Sequence, residues 1–380
     1  MAFGKKNEVK IDPFLYNIGL IGEGGVGKTT TVYEMCQSHL GDDGYLFVEC
    51  GREEGADAIN GINYINCPEW NAEYDELNNS VGFAQLVEDI VENKDEEYPN
   101  LKVVVIDTFD QLRKIVEPEI IRLHNKQHPD KRVNSIKAAF GGFMSGDDMA
   151  DDIVIDKLWE LKKVGVQFIA IGHVKNREIT DPTTNDVYTQ LTTDMSMRTF
   201  NKLKTKLHFL GVASVDREIV KQQKGKKDAN VIKSEARKIT FRDDSYAIDS
   251  KSRFADIASE CALDGEALYK TLCDAIEKEA SKNGGDVKKM KKTQDAQAKE
   301  KAKAASEYSK NAKELKIDEE KNEGLVDEIK VKFSDLEEDA ASEVKDLMKE
   351  LGVKNFKAPD EIPTKHLEQI LNKINELLEG

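Results

Sequence analysis

Gly22-Glu23-Gly24-Gly25-Val26-Gly27-Lys28-Thr29, followed by Thr30, fits the spacing G-x-x-x-x-G-K-[ST]. The stretch stands between an apolar run, Asn17-Ile18-Gly19-Leu20-Ile21, and a helical pattern over residues 28–39. Glycines at these places let the backbone wrap closely enough for its N–H groups to point at phosphate oxygens. The helix start adds the positive end of its dipole. In this pattern Lys28 reaches the β- and γ-phosphates, and Thr29 offers a hydroxyl to Mg²⁺, which takes oxygen ligands. Strand, loop and helix in this order predict a nucleotide site spanning Gly22 to Thr30.

A second acidic group is expected where a buried strand ends near the loop. Val103-Val104-Val105-Ile106-Asp107 supplies it. The run is too continuously apolar for a half-exposed strand, so it belongs at the centre of a parallel sheet, with Asp107 on the metal side. Thr108 follows, rather than a glutamate that could polarise water. Glu49 ends the run at 45–49 just beyond the loop helix, and neighbouring parallel strands open their carboxyl ends into one crevice. Glu49 is therefore the candidate general base, the alternative being an ordinary strand-end carboxylate. His173, after the run at 166–172, is either a sensor of hydrolysis or a strand cap. The sequence has no Asn-Lys-x-Asp guanine-reading motif, which favours ATP over GTP.

Working outward, strands at 15–21, 45–49, 102–107 and 166–172 alternate with helical patterns at 28–39, 81–93, 111–126 and 149–164. That alternation predicts an α/β domain with a central, mostly parallel sheet. Three further strands, at 206–215, 217–222 and 231–241, read as consecutive antiparallel additions, with residues 221–230 (KQQKGKKDAN) as their turn. The predicted organisation is a core over 1–280, a Lys/Ala-rich linker or solvated helix over 281–322, and a small helical domain, a hairpin broken at KNFKAPDEIP, over 323–380.

The 380 residues carry a net charge of −16, which excludes a histone-like packager coated in positive potential. The cations nevertheless cluster. Residues 217–238 hold eight Lys/Arg against three acids and 281–316 eleven against five, whereas 317–380 hold nine against eighteen. No apolar run approaches the ~18 residues a bilayer requires, and the amino-terminal residues lack a secretory pattern, so a cytoplasmic protein without a membrane partner is expected. Five cysteines without a C-x-x-C pair read as reduced thiols.

Over residues 15–255 the chain resembles the RecA-like superfamily of P-loop ATPases. LFVECG resembles the strand ending in the catalytic glutamate of RecA, and VVVIDTFDQL its aspartate strand. FIAIGHVKNRE resembles the strand whose last polar residue couples γ-phosphate to DNA-facing loops, although His173 stands where RecA has glutamine. The His-Val-Lys sequence there looks like short AAA-type ATPases of bacteriophages, some of which act in single-strand annealing or recombination.

The resemblance implies ATP·Mg²⁺ hydrolysis with Glu49 as base, Asp107 on the metal and His173 as switch. It also implies single-stranded DNA as partner in recombination, annealing or replication. AIDSKSRF resembles the K-x-R finger that hexameric RecA-fold ATPases present to a neighbour's nucleotide. Lys251 and Arg253 would then act between copies of a homo-oligomer, a ring or filament, with Arg198 a weaker rival. The loop is also similar to that of partitioning ATPases, but Glu23 stands where they carry a lysine.

DNA contacts would fall on Lys221, Lys224, Lys226 and Lys227 at a hairpin tip, and on Phe140 and Phe143 among glycines, rings able to stack on bases or to anchor a loop. The contrasting reading is an ATP-gated adaptor whose C-terminal helices recruit a replication partner, such as a single-stranded-DNA-binding protein.

Overall fold

The computed structural model describes residues 8–379 except 182, 225–226, 246, 283–285 and 337, and describes residues 218–234, 295–297, 299, 319–320, 338–339 and 379 by their backbone alone. In chain order the first elements are β1 (Ile18–Gly22), α1 (Lys28–Leu40), β2 (Tyr45–Cys50), β3 (Tyr64–Cys67), α2 (Phe83–Glu92), β4 (Val103–Asp107), α3 (Phe109–Ile115) and α4 (Glu117–Gln127). Then come α5 (Ser145–Lys163), β5 (Gln167–Thr180), β6 (Val187–Thr193), α6 (Met197–Lys206), β7 (Phe209–Lys224) and β8 (Lys227–Thr240). The chain continues through β9 (Lys251–Ser252), β10 (Glu260–Ala262), α7 (Gly265–Ser281), α8 (Val287–Leu315), α9 (Glu319–Phe333), α10 (Glu338–Glu350) and α11 (Thr364–Glu379).

The main path of the sheet runs β10-β8-β7-β1-β5-β4-β2-β3, with β6 beside β5 and β9 beside β7. From β7 to β3 the pairing is parallel. The expected α/β architecture with a mostly parallel central sheet is thus the one the chain adopts. Burial on both sides explains the continuous apolar strands, since β1, β2 and β4 are buried throughout. On one face Leu20 and Ile171 share a core with Val32 and Met35 of α1 and with Leu268 and Leu272 of α7. On the other, Trp159 of α5 lies 6.2 Å from Phe168 of β5, ring centre to ring centre.

Several expectations need correction. The strands read at 206–215 and 217–222 are one strand, β7, and it lies parallel to β1. Only Asp216 separates Val215 from Arg217, and it stays in the ladder opposite Ala236 rather than turning the chain. The antiparallel addition begins only with β8. The helix expected at 111–126 is two, because Pro118 in the first turn of α4 lacks an N–H and disfavours helix in the residue before it. β5 does not stop at Gly172 but runs on to Thr180, paired with β6 beyond the core.

The chain divides into two units, residues 1–305 and 306–380. The division falls within α8, inside the segment expected as a linker over 281–322. Early in α8, Val287 and Met290 pack on the core of the first unit. Gln294 there accepts from Ile11 N at 2.9 Å and donates to Val9 O at 2.7 Å. The second unit has its own core, where Val326, Ile329, Val344, Leu367, Ile370 and Ile374 meet. It uses α9 as well as the two helices of the expected hairpin. No helix among the described residues is long and apolar enough to cross a membrane.

Candidate functional site

Parallel pairing brings the carboxyl ends of the strands together, with Glu49 opposite Asp107 and Gly22 flanked by His173 and Ala213. The loop leaves β1 at Gly22, where even a methyl group would lie 2.7 Å from Ala213 O and 2.9 Å from Ala213 Cβ. Only glycine passes there without parting β1 from β7. Gly25 and Gly27 take φ of +73° and +112°, the left-handed region that glycine enters freely. Val26 is buried and anchors the loop, while Glu23, Gly24, Gly25 and Thr30 are exposed on its rim.

Lys28, 6% exposed, folds back into the loop and donates to Gly22 O at 3.0 Å and Glu23 O at 2.9 Å. Burial lowers its pKa, against the upward pull of Asp107, Asp110, Glu53 and Asp194. The Thr29 hydroxyl donates to Asp107 Oδ2 at 2.7 Å. Glu49 is buried, and its Oε1 accepts from Ala56 N at 2.5 Å. Gly55 packs over the gap between these groups, for a Cβ there would sit 3.5 Å from Thr29 Oγ1 and 3.7 Å from Glu49 Oε1.

Electrostatically the pocket is crowded with acids. Burial pushes Glu49 up to about 7, helped by the negative charges of Asp107, Asp57 and Glu53 and opposed by the Ala56 N–H. Burial likewise raises Asp107 to about 6, with the Thr29 hydroxyl holding it down and Glu53 pushing it up. A hydroxyl and a carboxylate 2.7 Å apart, in a pocket that penalises their negative charge, form a donor set suited to a hard divalent cation.

His173 Nδ1 lies 3.3 Å from Asp110 Oδ2. That contact raises the histidine's pKa and holds Asp110 below the usual carboxylate range despite its burial. Asp110, Glu53 and His173 bring ligand-type atoms within 4.8 Å of one another. Thr108 Oγ1 in turn donates to Glu53 Oε1 at 3.4 Å.

The structure places the loop, Glu49, Asp107 and His173 at one rim and brings three further residues to it. Asp110 had a signal, since it stands three residues after Asp107, in the first turn of α3. Glu53 lies in the loop that follows β2 and Glu49. Arg237 had none: it arrives from β8, 211 residues along the chain, to donate from Nη1 to Val26 O at 3.1 Å.

Other candidates lie elsewhere. Lys251 and Arg253 sit at the amino ends of the strands, with Ser252 of β9 beside Phe209 at the start of β7. There they donate to the Lys204 and Thr205 carbonyls that end α6, each at 2.5 Å. Within one copy they do not meet the loop. Arg198 pairs with Asp148 of α5. Phe140 is held between the His124 and His128 rings, at 5.1 and 6.3 Å, whereas Phe143 is 100% exposed. Lys221, Lys224 and Lys227 lie on the β7–β8 hairpin by their backbone, and Lys226 lies outside the described residues.

No curated protein sequence matches the chain. Among solved structures the chain is similar to a KaiC-like protein, PH0186, of the hyperthermophilic archaeon Pyrococcus horikoshii OT3. The two are 12% identical, with 65% of this chain and 85% of that one covered at a TM-score of 0.33. It is also similar to flagellar accessory protein FlaH of Methanocaldococcus jannaschii, at 9% identity, 63% and 84% coverage and a TM-score of 0.28. The model of a family of AAA domains, AAA_24, matches residues 16–254. That match takes in the glycine loop, both acidic strand ends and His173, and spans well over half of the chain: the protein belongs to the AAA_24 family of AAA domains.

Proposed function

We propose that the protein is a RecA-like ATPase that hydrolyses Mg²⁺-bound ATP and is stimulated by single-stranded DNA, in phage-type recombination, annealing or replication. The observation that carries the hydrolytic reading is the buried Glu49 carboxylate, fixed by Ala56 N beside the Thr29–Asp107 pair. Thr29 and Asp107 are the residues that would hold Mg²⁺, and the ion's contribution when bound is to neutralise charge on the triphosphate.

Phosphate would be received by the N–H groups of the exposed loop rim, with the Lys28 ammonium, now resting on the Gly22 and Glu23 carbonyls, as the side-chain cation beside them. Glu49, once ionised, accepts a proton from the attacking water, and the closed strand ends around it limit competing solvent. His173 and Asp110 share a proton at the far side of the pocket. Support for a DNA role is the continuity of β5, which passes His173 and runs directly into the β5–β6 hairpin outside the core.

The test is ATP turnover and binding for the native chain, Lys28→Ala and Glu49→Gln, with and without oligodeoxythymidylate. Lys28→Ala is expected to abolish binding in calorimetry. Glu49→Gln is expected to bind normally but turn over about 10²–10⁴-fold more slowly. Full turnover in Glu49→Gln would remove the base from this scheme, and turnover indifferent to DNA would remove the DNA role.

A further inference from the structure

The end of the sheet opposite the nucleotide loop gathers cations that the site does not use. Three chain segments enter their strands there, through Asn17 before β1, Lys162 near the end of α5, and Lys206 at the end of α6. Asn17 is buried, 1% exposed, and ties them together. Its Oδ1 accepts from Lys162 Nζ at 3.1 Å, its Nδ2 donates to Lys206 O at 3.0 Å, and its N–H donates to His208 Nδ1 at 3.2 Å. Lys251 and Arg253 stand beside them on the α6 carbonyls.

Trp159, partly exposed, lies one turn before Lys162. The Lys162 ammonium is 4.8 Å from the centre of its ring and the Lys206 ammonium 5.7 Å. The neighbouring lysines on α6 are neutralised, Lys202 by Asp148, Asp151 and Asp152, and Lys204 by Asp249. Among the described residues, by contrast, no carboxylate pairs with Lys10, Lys162, Lys206, Lys251 or Arg253. The cations act on one another together with burial. Burial and then Lys10 and Arg253 pull Lys162 down to about 8. Burial and then Arg253, Lys162, Lys10 and Lys251 pull His208 down to about 4. In a chain of net charge −16, such a face stores unfavourable charge that a bound polyanion relieves.

We infer that this face binds single-stranded nucleic acid, with Lys162, Lys206 and Arg253 on phosphates and the Trp159 ring against a base. The inference deepens the DNA role proposed above and rests on it, but it places the strand at the opposite end of the sheet from the basic hairpin. An aromatic face between cations is the combination that holds single strands without reading sequence, because every base has a π-face and every nucleotide a phosphate. The cations alone would equally meet the acidic nucleotide rim of a second copy. The ring, whose exposed part would gain nothing from carboxylates, favours the nucleic acid.

The test uses the full chain and an oligodeoxythymidylate of roughly 20 nucleotides, long enough to cover one site. Binding is read by anisotropy of the labelled strand for the native protein, Lys206→Ala and the double variant Lys162→Ala/Lys206→Ala. The double variant is expected to bind about tenfold more weakly, with the slope of log K against log salt reduced by about 1.4 for two lost phosphate contacts. Lys206→Ala, changed only at an exposed side chain, is expected to lose about half of that slope. ATP affinity, read at the other end of the sheet, is expected to stay unchanged and reports that both variants are folded.

Because the chain has two tryptophans, Trp70→Phe leaves Trp159 as the sole emitter, and the unlabelled strand is expected to quench it. Native-strength binding by both lysine variants with no quenching would overturn the face and leave the DNA-stimulated ATPase standing. Absence of any strand binding by the native protein would overturn both. Loss of self-association in the double variant, with DNA binding intact, would give the face to a second copy and overturn the inference.

Discussion

Glu49 and Asp107 are neighbouring strand ends whose acidity is set by burial, and the consequence is a pH dependence of defined sign. A base must be ionised to accept a proton, and Glu49 in the free protein is raised to about 7. kcat/KM for ATP is therefore expected to rise about tenfold per unit as pH approaches 7 and then level. Below about 6, where Asp107 also takes up a proton, the limb steepens. In Glu49→Gln the limb near 7 should vanish from an initial-rate profile, and its persistence would assign it to another group. At this scale the sequence was legible where a candidate residue ended an apolar run, as Asp107, Glu49 and His173 do. Asp110 follows Asp107 closely in the first turn of α3, whereas Glu53 and Arg237 reach the same pocket through a loop and a remote strand that no local pattern announces.

Elements were readable when their burial was complete. β2 and β4, continuous apolar runs with turns on either side, appear where periodicity puts them. β3 is four residues with three only partly buried, and β6 is a polar run, VYTQLTT, whose only buried residues are its last two threonines, so neither produced a signal. The helix over 145–163 carries the element-scale interaction with most at stake. Arg113 of α3, 8% exposed, donates from Nε to Asp151 Oδ1 at 2.6 Å and from Nη2 to Asp147 Oδ1 at 3.0 Å, with Asp151 only 2% exposed. Removing one partner strands a buried charge, so Arg113→Ala is expected to cost about 3–5 kcal/mol in urea unfolding. A loss below about 1 kcal/mol would mean that Lys202, 3.5 Å from Asp151 Oδ2, already compensates it.

For the molecule as a whole, charge and apolar spacing separate a core, a charged stretch and a C-terminal helical region, and the division between the two units falls within α8. Residues 281–316 read as solvated because their apolar side chains are few, yet Val287 and Met290 suffice to dock the start of α8 on the first unit. The second unit has its own core, so residues 306–380 expressed alone are expected to melt cooperatively in helical circular dichroism. A gradual, featureless loss of signal would make its fold dependent on the rest of the chain. β5, finally, is a single extended segment rooted between β1 and β4 that continues seven residues past His173, a reach of about 23 Å. As a lever pivoting at the histidine, it converts a ten-degree tilt into a displacement of about 4 Å at its free end. A small shift at His173 would thus arrive magnified at the outer end of the β5–β6 hairpin.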